Sequence, residues 1–164
     1  MSSLWLALRS LFWAAALPGI VAGYVPWRYF GLGQVALAWR DPFQLLGILL
    51  AVLGVGLLAT CIWEFARRGR GTLAPVDPPR KLVVQGLYRF VRNPMYFSVA
   101  TILLGELLIV RTAALALYCG CWLALVNLFV IGYEEPALRR QFGESYERYT
   151  KRVGRWIPRL PRGD

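Results

Sequence analysis

The feature that most restricts this sequence is a pair of long, nearly uncharged apolar stretches. Residues 43–65 carry a single charge, Glu64, close to their end, and residues 113–133 carry none. A helix needs about 20 apolar residues to cross the hydrocarbon core of a bilayer, and about 17–25 is workable. Backbone groups inside lipid must find partners within their own segment, which favours helices. The sequence therefore predicts an integral membrane protein rather than a soluble domain.

Two shorter apolar blocks accompany the long ones. Residues 11–25 form the first, bracketed by tryptophans of the kind expected at membrane interfaces, and residues 95–110 form the other, which contains Glu106. A cleaved signal peptide is an alternative for the first block, but Arg9 comes late for that layout. The predicted fold class is all-α, an integral membrane bundle of about four transmembrane helices with a C-terminal amphipathic interfacial helix.

The charges predict how the chain is oriented. Lys and Arg number 19 against 9 acids, a net charge of +10. Seven basic residues lie in residues 66–94 and eight follow residue 134, whereas only Arg111 separates the third and fourth blocks. The positive-inside rule places the middle loop and the C-terminal tail in the cytoplasm, and four spans put the N-terminus there too.

The same charges indicate the partners. Basic residues that flank spans favour anionic lipid headgroups of the bilayer over nucleic acid. The sequence has no histidine, and Cys61, Cys119 and Cys121 all lie in apolar blocks, so we expect no metal site and no His-based catalytic triad.

Residues 85–98 carry more polar detail than a membrane anchor needs. Asn93 and Pro94 suit the N-cap and first position of the third helix. A helix N-terminus also attracts anions, and Arg92 adds a positive charge there. The alternative for Arg92 is a contact with lipid headgroups.

Residues 133–153 form a second unusual stretch. Glu134 and Glu135 follow the fourth block directly, and Pro136 suits the start of a new helix. An apolar stripe then recurs at helical spacing, which predicts an amphipathic helix on the membrane or folded over the loop. Its members are Leu138, Phe142, Tyr146, Tyr149 and Val153. The glutamates would be exposed near Arg139 and Arg140, or would bind a cation or ribose hydroxyls.

Glu106 lies inside the third predicted helix. A carboxylate at that depth is a functional candidate, and a structural pairing with Asn127 or Arg111 is the simpler expectation.

The two polar stretches together resemble a known family. GLYRFVRNPMY and EEPALRRQFGESYERYTKRVGRWIP are similar to motifs of the isoprenylcysteine carboxyl methyltransferase family and the related phospholipid methyltransferases, over about residues 72–160. The resemblance implies a membrane methyltransferase that uses S-adenosyl-L-methionine and acts on a lipid-like or prenylated acceptor, a carboxylate or an amine. It implies one membrane domain, 1–164, in which 1–71 form the first two spans and 72–164 form the cofactor-binding core.

The resemblance also implies which residues form the site, in a cytoplasmic pocket between the last two spans and the tail. The expected catalytic residues are Arg92, Glu134 and Glu135. The expected cofactor-binding residues are Tyr88, Asn93, Pro94, Tyr96, Glu134, Glu135, Tyr146 and Tyr149.

This sequence departs from the family pattern at two positions. Asn93 stands where the eukaryotic prenylcysteine enzymes have His, and Ser98 stands where a Gly is common. Because Asn cannot take a proton, an ammonium acceptor would need Glu134 or Glu135 as its base.

Other functions remain open on the residues alone. A membrane reductase with a related helical core would use a nicotinamide dinucleotide. A small four-helix transporter would use Glu106 as its proton or cation site. A non-catalytic relative would keep only the scaffold.

Overall fold

The computed structural model describes residues 16–68 and 82–159, apart from the side chains of 65–68, and this part of the chain is helical. One isolated parallel bridge, Val91 with Gly154, is the single β-type pairing in the described residues. The predicted all-α class is therefore confirmed. The helices are α1 (Val25–Tyr29), α2 (Pro42–Arg68), α3 (Pro94–Val110), α4 (Ala113–Phe129), α5 (Glu135–Phe142) and α6 (Glu144–Arg152), with π-helical turns at Ile20–Tyr24 and Val130–Glu134 and 3₁₀ turns at Leu32–Gln34 and Gly86–Arg89.

Two helices within the described residues are long and apolar enough to cross a membrane. They are Pro42–Glu64, with 23 residues, and the continuous helix Ala113–Phe142, with 30. Helix α3 is apolar but has only 17 residues, about 25 Å at 1.5 Å per residue. The first predicted span, residues 11–25, begins outside the described residues, and its described part is helical from residue 16 through the first π-helical turn to the start of α1. Of the four expected spans, two are thus supported by length and composition.

The surfaces of α2 and α4 are apolar and exposed. Leu49 of α2 is 62% exposed and Leu125 of α4 is 66% exposed, with many similar neighbours. A soluble protein rarely exposes contiguous apolar surface of this extent. These faces suit contact with lipid, as expected for a membrane protein.

Helices α2 and α3 pack with their backbones in close approach. A Cβ atom on Gly105 would lie 2.5 Å from the carbonyl oxygen of Gly47, and one on Gly47 would lie 2.6 Å from that of Gly105. Only glycine fits at both positions, as at the small-residue interfaces of membrane helices. This packing fixes the ends of α2 and α3 next to each other.

The expected pairing of Glu106 is wrong. Arg111 forms an ion pair with Asp41 instead, and Asn127 accepts a hydrogen bond from Trp156. Glu106 is buried, and its Oε2 has no hydrogen-bond partner within the described part of the chain. Each expected partner is held elsewhere by a residue far away in sequence, which spacing along one helix could not indicate.

The tail differs from the predicted single amphipathic helix. The fourth helix does not end before the glutamates, because the π-helical turn Val130–Glu134 carries it into α5. Gly143, at φ 50°, then separates α5 from α6. The apolar stripe nevertheless forms one cluster: Tyr146, Tyr149 and Val153 are buried, with Leu138, Phe142 and Leu82 packed against them. The stripe therefore folds over the end of the middle loop, one of the two expected placements.

Candidate functional site

The first motif is held against the end of α2. Glu64 accepts a hydrogen bond from the backbone N–H of Leu87 at 3.1 Å. Gly86 has a φ of 61°, and a Cβ atom there would lie 1.8 Å from a Glu64 carboxylate oxygen. The left-handed conformation and the close carboxylate both require glycine. This turn sets the position of Tyr88 through Asn93.

The tail lies along the same motif on its other side. The N–H of Arg92 donates to the carbonyl of Gly154, and the N–H of Arg159 donates to that of Phe90, both at 2.9 Å. The phenol of Tyr149 donates to the carbonyl of Tyr88 at 2.6 Å. Burial raises the pKa of both tyrosines, so both phenols remain neutral at physiological pH. The second motif therefore closes over the first.

Glu135 is the centre of a buried ionic cluster. Arg92 Nη1 donates to Oε1 at 2.8 Å, while Arg155 Nε donates to Oε1 at 2.7 Å and Arg155 Nη2 donates to Oε2 at 2.8 Å. The Glu135 side chain is only 7% exposed. Both oxygens are engaged, and the hydrogen bond from Arg155 together with the charge of Glu135 raises the pKa of Arg155. Glu135 is thus paired and oriented rather than free to react.

Arg92 retains a donor for which the described residues offer no acceptor. Its side chain is 13% exposed, and its Nε is buried without a hydrogen-bond partner among those residues. Tyr146 is buried nearby; burial and the charge of Glu135 raise the pKa of its phenol, whereas the neighbouring Arg92 guanidinium acts to lower it. A buried N–H without an acceptor costs about 1–3 kcal/mol, which an anionic ligand at this position would remove.

Glu134 points into a different environment from its neighbour. Its Oε2 accepts a hydrogen bond from the phenol of Tyr96 at 3.2 Å. The ring of Tyr96 meets Trp156 edge-on at 6.4 Å, and the Trp156 indole donates to Asn127 Oδ1 at 3.0 Å. Within the described residues Glu134 forms no ion pair, and its hydrogen bond comes from the phenol of Tyr96.

Pro94 and Asn93 occupy the predicted positions, but Asn93 acts differently. Pro94 begins α3, as expected, and Asn93 is its N-cap residue without a side-chain capping bond. The Asn93 amide donates to the carbonyl of Arg155 at 3.3 Å instead. Asn93 thus ties the tail to α3.

The structure brings all the expected site residues to one end of the bundle. Tyr88 contributes its backbone carbonyl, Pro94 begins α3, and the Asn93 side chain holds the tail. The polar side chains form two groups: Arg92 and Tyr146 lie beside Glu135, and Tyr96 binds Glu134. Sequence reasoning missed Arg155, Trp156 and Asn127. The first two lie within the second motif, which was a signal for a role in the site.

These features define a helical membrane protein with a polar site at one end, where two motifs meet. A model of the phospholipid methyltransferase family matches residues 43–145, and the chain belongs to this family. The match confirms the resemblance and indicates a membrane methyltransferase. An uncharacterized protein of Haemophilus influenzae is 35% identical over 63 residues, which are 38% of this chain and all of that protein. No solved structure matches the chain.

Proposed function

We propose that this protein transfers a methyl group from S-adenosyl-L-methionine to a lipid-like or prenylated acceptor at the cytoplasmic face of a membrane. The observation that carries the proposal is the buried Nε of Arg92, which has no hydrogen-bond partner among the described residues and lies beside Glu135, at the meeting point of the two family motifs. Arg92 suits a carboxylate, and Glu134 suits a positive charge. S-adenosyl-L-methionine presents both kinds of group.

The residues present fit that ligand. Arg92 would bind its carboxylate through the free Nε, and Glu134 would face its positive charge. Tyr146 and Tyr149, which are buried on α6, would close the site and limit the access of water. The cofactor supplies an electrophilic methyl group on a sulfonium, so alignment of the acceptor contributes much of the rate.

The two glutamates, Glu134 and Glu135, would have different roles. Glu135 already accepts hydrogen bonds on both oxygens, and therefore orients Arg92. Glu134 accepts its hydrogen bond from a neutral phenol and has no ion pair within the described residues. For an amine acceptor, Glu134 would take the ammonium proton before methylation. For a carboxylate acceptor no base is needed, and Glu134 would act through its charge alone.

The surroundings of the site support an acceptor with an apolar tail. The helices that carry the site expose apolar side chains along their length, such as Leu104 and Leu128. A lipid in the bilayer could place its head beside Tyr96 and Glu134 while its tail stays in contact with these faces.

The proposal is tested by calorimetric binding of S-adenosylmethionine and S-adenosylhomocysteine to detergent-purified protein, with NADPH as the comparison ligand. We expect saturable binding of the first two, lost in the Glu134→Gln, Glu135→Gln double variant. The matched control is Glu144→Gln, because the Glu144 side chain is 78% exposed on α6. Binding of NADPH alone would favour a reductase, and no binding by folded protein would refute the proposal.

The acceptor is then identified by transfer of labelled methyl groups in mixed vesicles. Phosphatidylethanolamine tests the amine class and a prenylated cysteine tests the carboxylate class. We expect Glu134→Gln to abolish transfer to an amine and to reduce transfer to a carboxylate by a smaller factor. Equal losses with both acceptors would refute Glu134 as a base.

A further inference from the structure

We propose that Arg155 is a positioning residue of this site, which keeps one donor of Arg92 free by occupying Glu135. The inference rests on the proposed function, because the freed donor is the one assigned to the ligand. It concerns a residue of the tail that the sequence motifs did not assign to the site.

The two arginines bind Glu135 unequally. Arg155 presents a fork, with Nε on one oxygen at 2.7 Å and Nη2 on the other at 2.8 Å. Arg92 contributes a single hydrogen bond, from Nη1 at 2.8 Å. The fork is the preferred arrangement of an arginine with a carboxylate. Because Arg155 forms the fork, Arg92 makes one hydrogen bond to Glu135, and its buried Nε has no acceptor in the described residues.

The backbone around Arg155 is fixed independently of its side chain. The carbonyl of Gly154 accepts from the N–H of Arg92, and the carbonyl of Arg155 accepts from the amide of Asn93. Trp156 is tied to Asn127. The Arg155 side chain itself is 31% exposed, compared with 13% for Arg92. Its guanidinium can therefore be removed without detaching the tail.

Removal of the Arg155 guanidinium releases Glu135 to Arg92. Without Arg155, the Glu135 carboxylate can accept a second hydrogen bond from Arg92. The Nε of Arg92 then has an acceptor inside the protein. The ligand loses one charge-assisted hydrogen bond, which weakens binding by about ten- to a hundredfold.

The experiment measures the dissociation constant of S-adenosylhomocysteine for the full chain in detergent. Arg155→Gln should weaken binding by about ten- to a hundredfold, and Arg155→Lys, which keeps the charge but cannot form a fork, should show an intermediate loss. Arg148→Gln is the control, because Arg148 forms an exposed pair with Glu144. In a Glu135→Gln background, Arg155→Gln should have almost no further effect.

Three outcomes would overturn the inference. Unchanged binding by Arg155→Gln would show that Arg155 does not position the site. An equal loss in the Glu135→Gln background would show that Arg155 does not act through Glu135. A tail that becomes sensitive to protease in Arg155→Gln would show that the side chain only anchors the tail. Failure of the wild-type protein to bind would instead refute the proposed function, and the inference with it.

Discussion

Replacement of Glu135 by alanine tests the ionic cluster directly. The substitution removes three charge-assisted hydrogen bonds and leaves Arg92 and Arg155 facing each other without an anion between them. Breaking a buried ion pair from one side costs about 3–5 kcal/mol. Arg155 is 31% exposed and can turn toward water, which reduces the cost. We therefore expect about 3 kcal/mol, the lower end of that range.

The assay is reversible unfolding in mixed detergent micelles, followed by tryptophan fluorescence. Glu144→Ala is the matched control, because it breaks an exposed pair with Arg148 on α6 and should cost less than about 1 kcal/mol. Glu134→Ala should lie between the two, since it removes one hydrogen bond from Tyr96. If Glu135→Ala costs no more than Glu144→Ala, the cluster does not stabilise the fold and the reasoning is refuted.

Three further changes test the contacts that hold the site together. Gly86→Ala should destabilise the protein by at least about 2 kcal/mol in the same assay, because it strains a left-handed residue and displaces Glu64. The control is Gly56→Ala, which has open space around it and should be nearly neutral. Equal destabilisation by the two substitutions would refute this account. Tyr149→Phe should cost about 1 kcal/mol by loss of its hydrogen bond to the Tyr88 carbonyl, and an unchanged unfolding midpoint would contradict that. Deletion of residues 141–164 should abolish calorimetric binding of S-adenosylhomocysteine, whereas retained affinity would show that the tail does not close the site.

Local patterns predicted the parts of this fold that depend on neighbouring residues. The uncharged runs gave α2 and α4, Pro94 marked the start of α3, and the stripe from Leu138 to Val153 gave the buried face of the tail. These features follow from helical periodicity and from the conformational preference of one residue. The candidate site residues were predicted from the motifs of the family rather than from periodicity.

Contacts between distant charges could not be predicted in the same way. Glu135 pairs with Arg155, 20 residues away, and Asp41 pairs with Arg111, 70 residues away, although each acid had several bases to choose from. The continuation of the helix through Glu134 was missed because Pro136 suits the first turn of a new helix, while a π-helical turn also accommodates it. Tertiary packing determines these ion-pair partners and this helix boundary.

The two adjacent glutamates have different partners because they point in different directions from one helix. Consecutive residues of a helix point about 100° apart, and Glu134 and Glu135 accordingly bind different partners. Glu135 faces the arginines, and Glu134 faces Tyr96. The consecutive tail residues Arg155 and Trp156 follow the same division, because Arg155 binds Glu135 and Trp156 packs on Tyr96. Two adjacent residues of the tail thus support two adjacent residues of the helix, and a shift of the tail by one position would disturb both sides of the site at once.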